Sequence, residues 1–278
     1  MDLRYRTFRK RKKGPCNICC EIGPLSWDHV PPQGGIELQP VEIERIAGVF
    51  VSSFSLPKTE ISHDGLCFRT LCSKHNSLLG ANFDPSLNDF AKTIGNFLKS
   101  KIFLPPILHV KARPTAIARA VLGHLLAARL SSKDSFFDEL IRELVLDPFI
   151  PIPKNISIFY WIHPYAQQII LRDGLIPKIR GNYSEFQRFG VLKYFPIGFL
   201  VTDAEEYEGL NELTYWRDEP YSTLVEIPIQ LNQIHDPYWP EAPAPDNCIL
   251  GGEDLLQSLS AYPAKHLFKE FLSLNPEE

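Results

Sequence analysis

The sequence lacks the features of membrane and secreted proteins. No apolar stretch approaches the length of a membrane-spanning helix, and the basic N-terminus is followed by no apolar run of the kind that secretory signals carry. Cysteine is scarce, with six residues in 278, and five of the six lie between positions 16 and 72. That concentration is typical of a metal site in a reducing compartment and not of a disulfide framework, so we expect a cytoplasmic protein without a membrane partner.

Internal repeats are absent as well, and the composition indicates an ordinary globular chain. The sequence is 44% hydrophobic and 22% charged, which is enough apolar material for a core. We expect an α+β protein in which a small module over residues 14–104 precedes a mixed domain of helices and antiparallel sheet over residues 105–278. The boundary is predicted at Leu104-Pro105-Pro106, and a basic arm over residues 1–13 comes before both parts.

Two short motifs carry residues of the types that bind metal ions. The first is Cys16-x-x-Cys19 and the second is Cys72-x-x-His75. Two ligands separated by two residues can bind one ion from a tight turn, and a second such pair completes a tetrahedron. The four residues therefore form a Cys3His set, which is typical of structural zinc. Cys20 could compete with Cys19 as a ligand, although its position favours a packed thiol.

Polar residues that could perform chemistry lie beside these motifs. Asp28 and His29 precede a Pro-Pro pair, and Asn76 directly follows the second motif. Adjacent residues of a flat strand point to opposite faces, but at a strand end that enters a loop they can converge. A carboxylate and an amide oxygen suit Mg²⁺, and a neutral imidazole can take a proton from water near pH 7. These are the parts needed for metal-assisted phosphodiester hydrolysis.

The order CxxC, DHVPP and LCxxHNxxLG resembles the HNH, or ββα-metal, endonucleases, in the branch that carries a zinc knuckle. The resemblance covers residues from about 14 to 85. It implies that His29 is the general base, that Asp28 and Asn76 hold a catalytic Mg²⁺ or Mn²⁺, and that the Cys3His set holds structural zinc. It also implies a ββα-metal fold for the front module and cleavage of nucleic acid, with DNA expected ahead of RNA.

Two positions depart from the family pattern. The middle residue of the HNH motif is usually Asn and here falls on Cys67, and the fourth zinc ligand, Cys in many relatives, is His75. The middle residue helps to fix the base imidazole. Cys67 therefore favours an alternative function, in which a zinc-stabilised module binds nucleic acid or protein with weak catalysis or none.

The N-terminal arm is strongly basic. Its thirteen residues carry seven basic side chains against one acid, Asp2, so the arm holds +6 while the rest of a chain with net charge −4 holds −10. Beside a predicted nuclease module, this asymmetry indicates an arm that contacts phosphates, although a solvated tail is the simpler alternative. The candidate nucleic-acid-binding residues are Arg4, Arg6, Arg9, Lys10, Arg11, Lys12 and Lys13.

Periodicity and breakers predict the remaining elements. In the front module, residues 40–54 are expected to begin as a helix and pass into a strand, the helix after Asn76 to stop at Gly80, and a further helix to open at Asp84-Pro85. Beyond the boundary, helices are predicted over 115–130 and 135–146, and strands over 107–111, 156–162, 168–171, 190–201 and 223–229. A last helix is expected over 252–272, with a break at Pro263.

The back domain carries no catalytic motif. Its histidines are scattered and each is expected on the surface or satisfied in the core: His109, His124, His163, His235 and His266. Lys178, Arg180 and Arg188 could contact phosphate, although exposed bases on an acidic domain are the ordinary explanation. By analogy, such modules are often fused to a recognition or sensor domain, as in prokaryotic restriction and antiphage effectors. The expected partners are thus double-stranded DNA and a regulatory ligand or protein, and a homo-oligomer is compatible with the sequence.

Overall fold

The computed structural model describes residues 12–36, 39–46, 60–177, 186–207, 209–237, 239, 250–251 and 257–264, and it combines short strands with four α-helices. The front strands are β1 (Lys13–Pro15), β2 (Ile22–Pro24), β3 (Ser26–His29), β4 (Val41–Arg45), β5 (Glu60–Ser62) and β6 (Cys67–Leu71). The helices are α1 (Ser73–Asn82), α2 (Asp84–Lys99), α3 (Pro114–Ala127) and α4 (Asp138–Leu146). The remaining strands are β7 (Ile107–Ala112), β8 (Ser157–Ile162), β9 (Gln168–Pro177), β10 (Phe186–Tyr194), β11 (Ile197–Thr202), β12 (Asn211–Glu212), β13 (Val225–Gln230), β14 (Leu250–Gly251) and β15 (Leu259–Pro263).

Helix α3 is the centre of the core. All of its residues are buried, because small and apolar side chains occupy every side of the sequence PTAIARAVLGHLLA. Pro114 opens the helix, where its missing N–H costs no hydrogen bond. Gly123 lets α1 approach closely, since a Cβ there would lie 2.5 Å from Leu79 Cδ2. The front module is therefore held directly against the central helix.

The largest sheet in the described residues has nine antiparallel strands. Its order is β12-β8-β11-β10-β9-β15-β4-β5, with β14 paired to β9. Strands β10 and β11 form a hairpin in which Tyr194 faces Ile197, so the predicted break in residues 190–201 is a tight turn. Strands β8 and β11 are buried on both faces, as expected for their continuous apolar runs.

Strands and core residues from both sides of Leu104 pack together. Strands β4 and β5 come from the front of the chain, yet β4 pairs with β15, which in turn pairs with β9. One hydrophobic cluster also contains Cys16, Phe90, Ile117 and Tyr160, from both sides of Leu104. Three two-stranded sheets, β1-β2, β3-β6 and β7-β13, complete the described strands.

Several predicted elements differ from the structure. Residues 41–45 form strand β4 where a helix was expected to begin, and residues 259–263 form strand β15 inside the predicted last helix. The two segments pair with each other in the sheet, and this tertiary pairing overrides local helical preference. Helix α1 continues past Gly80 to Asn82, and α3 ends at Ala127, three residues before the predicted end. The rest of the predicted last helix, 252–256 and 265–272, lies outside the described residues.

Candidate metal centre and catalytic site

The first ligand pair lies on a tight turn between two paired strands. Strands β1 and β2 are antiparallel, with Gly14 opposite Gly23. The turn is closed by backbone bonds from Cys20 N to Cys16 O (2.8 Å) and from Cys16 N to Glu21 O (3.0 Å). Cys20 has a φ of 62° and an exposed side chain, so the expectation of a packed thiol there is wrong. Its backbone turns the chain back, and the ligand role falls to Cys19.

The second ligand pair lies where β6 passes into α1. Cys72 is the residue before the helix, and the N–H groups of His75 and Asn76 bond to its carbonyl oxygen at 3.1 and 3.0 Å. Residues 72 and 75 are one helical turn apart, so both side chains face the same direction. They face the turn that carries Cys16 and Cys19, which we call the knuckle.

The four predicted zinc ligands converge. One ligand atom from each of Cys16, Cys19, Cys72 and His75 lies within 4.8 Å of all the others. His75 Nδ1 is 3.1 Å from Cys72 Sγ and 3.9 Å from Cys16 Sγ. A tetrahedral zinc with bonds of about 2.3 Å to sulfur and about 2.0 Å to nitrogen needs ligand atoms about 3.5 Å apart, so the site fits such an ion. The cluster can hold a metal such as zinc.

The protonation chemistry of the cluster also favours a cation. Burial and neighbouring thiols raise the pKa of Cys19 to about 11. Burial opposes ionisation of Cys16 too, but hydrogen bonds from the backbone of Cys19, Cys72 and Ile18 outweigh it and lower the pKa of that thiol. Burial, helped by Lys74, lowers the pKa of His75, which keeps the imidazole neutral as a metal ligand must be. Negative charge on the neighbouring Cys16 opposes ionisation of Cys19, so a positive charge between the two thiols would favour both thiolates.

An asparagine between the first two ligands fixes the knuckle to the central helix. Asn17 is fully buried, and its Nδ2 donates to the carbonyl oxygens of Leu126 and Arg129, both at 2.9 Å. Its Oδ1 accepts from Arg129 Nη2 at 3.2 Å, and its own carbonyl accepts from Arg142 Nε at 2.8 Å. The side chain thereby adds two hydrogen bonds at the end of α3, where the Leu126 oxygen also accepts from Arg129 N at 3.1 Å. Sequence analysis missed this residue, and its place inside the CxxC motif is the one signal of its importance.

The segment with the predicted catalytic residues has the order strand, strand, helix. Strand β3 pairs antiparallel with β6, and α1 follows β6 after Cys72. Asn76, in the first turn of α1, donates from Nδ2 to Trp27 O (2.6 Å) and to Ser26 Oγ (3.2 Å). Neither bond uses the amide oxygen. The structure therefore brings the Asn76 side chain against the strand that carries Asp28 and His29.

Asp28 faces the protein interior. It is 5% exposed, and its Oδ2 lies 3.3 Å from His124 Nδ1 in the central helix α3. His124 Nε2 makes a 2.9 Å hydrogen bond with Asp84 Oδ1 at the start of α2. Burial alone would lower the pKa of His124, but the carboxylates of Asp84 and Asp28 raise it to about 10. His124 is thus a core histidine with one hydrogen bond, to Asp84, and its Nδ1 lies at ion-pair distance from the predicted metal ligand Asp28.

His29 ends β3 and lies opposite Cys67 in the register of β3 and β6. Trp27 is exposed, Asp28 is buried and His29 is half-buried, which is the alternation of a strand. His29 Nε2 is buried, and it has no hydrogen-bond partner in the described part of the chain. Cys67 Sγ donates to Asp64 O at 3.6 Å, and burial together with Asp64 and Asp28 raises the pKa of this thiol to about 12. Position 67 therefore presents a neutral thiol beside the predicted base.

Other predicted contact residues have different surroundings. Of the basic arm, Lys12 and Lys13 are described and exposed, whereas Arg4, Arg6, Arg9, Lys10 and Arg11 lie outside the described residues, as do Lys178 and Arg180. Arg188 pairs with Asp203 at 3.3 Å and lies over the ring of Phe136, so its guanidinium is already engaged.

No protein-family model matches the chain, and neither the curated proteins nor the solved structures contain a match. Among the helices of the described ranges, none combines the length and the apolar character needed to span a bilayer.

Proposed function

We propose that the chain is an HNH-type endonuclease that hydrolyses phosphodiester bonds of double-stranded DNA. One arrangement carries the proposal. His29 stands at the end of β3, Asn76 holds α1 against that strand, and the Cys3His cluster ties the start of α1 to the knuckle. A ββα unit stapled in this way could present the end of β3 to a phosphate.

His29 is the proposed general base. It would accept a proton from a water molecule whose oxygen then bonds to phosphorus, while the bond from phosphorus to the leaving oxygen breaks and that oxygen takes a proton from solvent. Since Nε2 of His29 is closed to solvent, the proton would be taken by Nδ1. The half-buried ring leaves the imidazole within reach of an outside substrate.

Asp28 and Asn76 are the proposed ligands of the catalytic Mg²⁺ or Mn²⁺. They offer a carboxylate and an amide oxygen, the donor types that such ions prefer, although Oδ2 of Asp28 already faces His124. When bound, the cation would stabilise negative charge on the phosphate and the leaving oxygen. The zinc ion, by contrast, would have all four positions filled by protein and would serve the fold.

Substrate contacts are proposed on the outward face of the same unit. Trp27 is 39% exposed, and the guanidinium of Arg69 lies 5.3 Å from the centre of its ring. Together with the basic residues of the arm, 1–13, these side chains could stack on bases and neutralise phosphates. We place the enzyme in the cytoplasm, where thiolate ligands stay reduced, and consider restriction or antiphage defence as its setting.

A second function is favoured by the orientation of Asp28. Because this carboxylate is 5% exposed and paired with His124, the front module could bind nucleic acid or protein without turnover. Cys67 in place of the usual Asn favours the same alternative.

A nicking assay on supercoiled plasmid with Mg²⁺ or Mn²⁺ distinguishes the two functions. His29→Ala should reduce cleavage by at least about 100-fold, because a positioned base contributes that much, while zinc content and melting temperature stay at wild-type values. His109→Ala, which removes an exposed histidine on β7, serves as the matched control. Salt-sensitive DNA binding with no cleavage in either metal would establish the binding function instead.

A further inference from the structure

A cavity of about 450 Å³ lies beside α2, on the face of that helix that carries Ala91, Gly95 and Lys99, and the proposed nuclease function does not use it. Its walls come from three places: the short helix Gln33–Gly35 with the residues after it, the α2 face around Gly95, and the turns at 164–168 and 195–196. This volume lies within the range of small-molecule sites in proteins. The cavity is therefore large enough for an organic ligand.

Among the described residues that line the cavity, the charged side chains are two lysines. Lys92 and Lys99 lie one above the other on α2, seven residues and about two turns apart, and both are exposed at the cavity. None of the described lining residues is acidic. The entrance therefore favours an anion, and two lysines on one helix face suit a phosphate group.

The wall below the lysines is flat and apolar. The ring of Phe195 is half-buried, and the Lys99 ammonium lies 5.2 Å from its centre. Gly95 permits close packing here, since a Cβ at that position would lie 3.3 Å from the Phe195 ring. Phe195 and Pro196 thus supply a rigid surface on which a planar ring can stack.

A buried amide in the cavity wall has an oxygen without a hydrogen-bond partner. Gln168 is 5% exposed and lines the cavity, but its Oε1 makes no hydrogen bond in the described part of the chain. The adjacent Gln167 is equally buried, at 6%, and its Nε2 donates to Ser260 Oγ and Tyr262 Oη, both at 2.8 Å. Buried amides are normally satisfied, and since the Gln168 oxygen has almost no exposed surface, a ligand would meet it once the side chain turns toward the cavity.

We propose that this cavity binds a nucleotide, with its phosphate on Lys92 and Lys99, its base against Phe195, and the edge of the base at Gln168. A phosphate, a planar ring and hydrogen-bonding groups on that ring are the three chemical features that the walls complement. A mononucleotide has all three in one molecule of suitable size. The proposal concerns binding alone and stands or falls separately from the cleavage assay.

Isothermal titration of the full-length, zinc-loaded protein without Mg²⁺ tests the proposal. The probes are AMP, GMP, CMP and UMP, with inorganic phosphate and adenosine as the separate halves. At least one nucleotide should bind at a ratio of one to one with a Kd of about 10–100 µM, which is what a ligand of this size achieves, and the separate halves should bind at least about tenfold more weakly.

Paired variants separate recognition from folding. Lys92→Ala combined with Lys99→Ala should weaken binding at least about tenfold and remove its dependence on salt, whereas Lys111→Ala, an exposed lysine on β7, should change neither. Gln168→Leu should weaken binding without lowering the melting temperature, because no hydrogen bond is lost. Gln167→Leu should lower the melting temperature and leave the Kd unchanged.

Four results overturn the proposal. Two concern the ligands: no nucleotide binds with a Kd below about 1 mM, which is a fragment-like affinity, or inorganic phosphate binds as tightly as the nucleotides. The other two concern the variants: the lysine pair or Gln168 can be replaced without loss of affinity, or Gln168→Leu lowers the melting temperature as far as Gln167→Leu does.

Discussion

His124 Nδ1 lies 3.3 Å from Asp28 Oδ2, at an ion-pair distance without the alignment of a hydrogen bond, while Nε2 of the same ring bonds to Asp84 Oδ1 at 2.9 Å. The imidazole is completely buried between the two carboxylates. It connects strand β3 and the start of α2 through the central helix α3. The strand that carries the predicted catalytic residues is therefore held by a residue of α3, which is distant from it in the sequence.

Replacement of His124 should destabilise the protein in a pH-dependent way. In His124→Gln the two carboxylates lose their shared cation, which for a buried pair costs about 3–5 kcal/mol. The pKa of His124 is raised from 6.5 to about 10, so its contribution is complete below pH 6.5 and is lost as the pH rises through 10. Urea unfolding from pH 6 to pH 10 should show a difference between wild type and variant that is largest at pH 6 and shrinks toward pH 10.

The exposed His109 provides the control for this experiment, since His109→Gln should change the free energy of unfolding by less than about 0.5 kcal/mol at every pH. A constant difference between wild type and His124→Gln across this pH range would mean that the imidazole is not held as a cation.

The sequence predicted the parts of the site that depend on local spacing. Cys16 and Cys19, two residues apart on a turn, and Cys72 and His75, one helical turn apart, each form a pair by local geometry alone. The sequence also predicted that the two pairs lie together, because four ligands of one metal ion must converge. The strand character of residues 26–29 and the helix after Cys72 agree with the same pattern.

The sequence could not predict the contacts that depend on tertiary packing. Asn17 and His124 are single polar residues, and nothing local shows that one caps the end of α3 and the other joins two carboxylates. Strand β15 is paired with β4 from a distant part of the chain, so its helical appearance in the sequence was misleading. The burial of Asp28 has the same origin, since its partner lies ninety-six residues away in the sequence.

Removal of one zinc ligand should unfold the front module. Cys72→Ser leaves three ligands, so bound zinc should fall from about one ion per chain to none, with a loss of more than about 10 °C in melting temperature. Metal analysis and thermal melting, each with and without a chelator, measure both effects. Cys20→Ser should change neither, because that thiol is exposed and outside the cluster. Equal melting temperatures for Cys72→Ser and the wild type would show that the cluster does not need a metal.

Loss of the Asn17 side chain should separate the knuckle from α3. Asn17→Ala removes three buried hydrogen bonds, from Asn17 Nδ2 to the carbonyl oxygens of Leu126 and Arg129 and from Arg129 Nη2 to Asn17 Oδ1, which we expect to cost about 2–4 kcal/mol. Asn17→Asp should be no better, since a carboxylate cannot donate to those carbonyls. Asn82→Ala, at the exposed end of α1, is the matched control. Urea unfolding measures all three, and a cost below about 0.5 kcal/mol for Asn17→Ala would show that the knuckle is held by the metal alone.

Introduction of the usual middle residue should raise cleavage if His29 is the base. Position 67 faces His29 across the β3–β6 pair, and its thiol is a weak hydrogen-bond donor that already points to Asp64 O. An amide in Cys67→Asn can hold the imidazole, and outer partners of this kind change activity by about tenfold or more. Initial rates of plasmid nicking should therefore rise about tenfold in Cys67→Asn and stay within about twofold in Cys67→Ser.

If the amide acts through the His29 imidazole, the higher nicking rate of Cys67→Asn must depend on His29. Cys67→Asn combined with His29→Ala should therefore be as inactive as His29→Ala alone. If the double variant keeps the higher rate, the amide acts on something other than the imidazole. If Cys67→Asn cuts no faster than the wild type while its melting temperature is unchanged, then position 67 does not limit a base at His29. The binding function, in which the buried carboxylate of Asp28 serves only the ion pair with His124, would then account better for the arrangement.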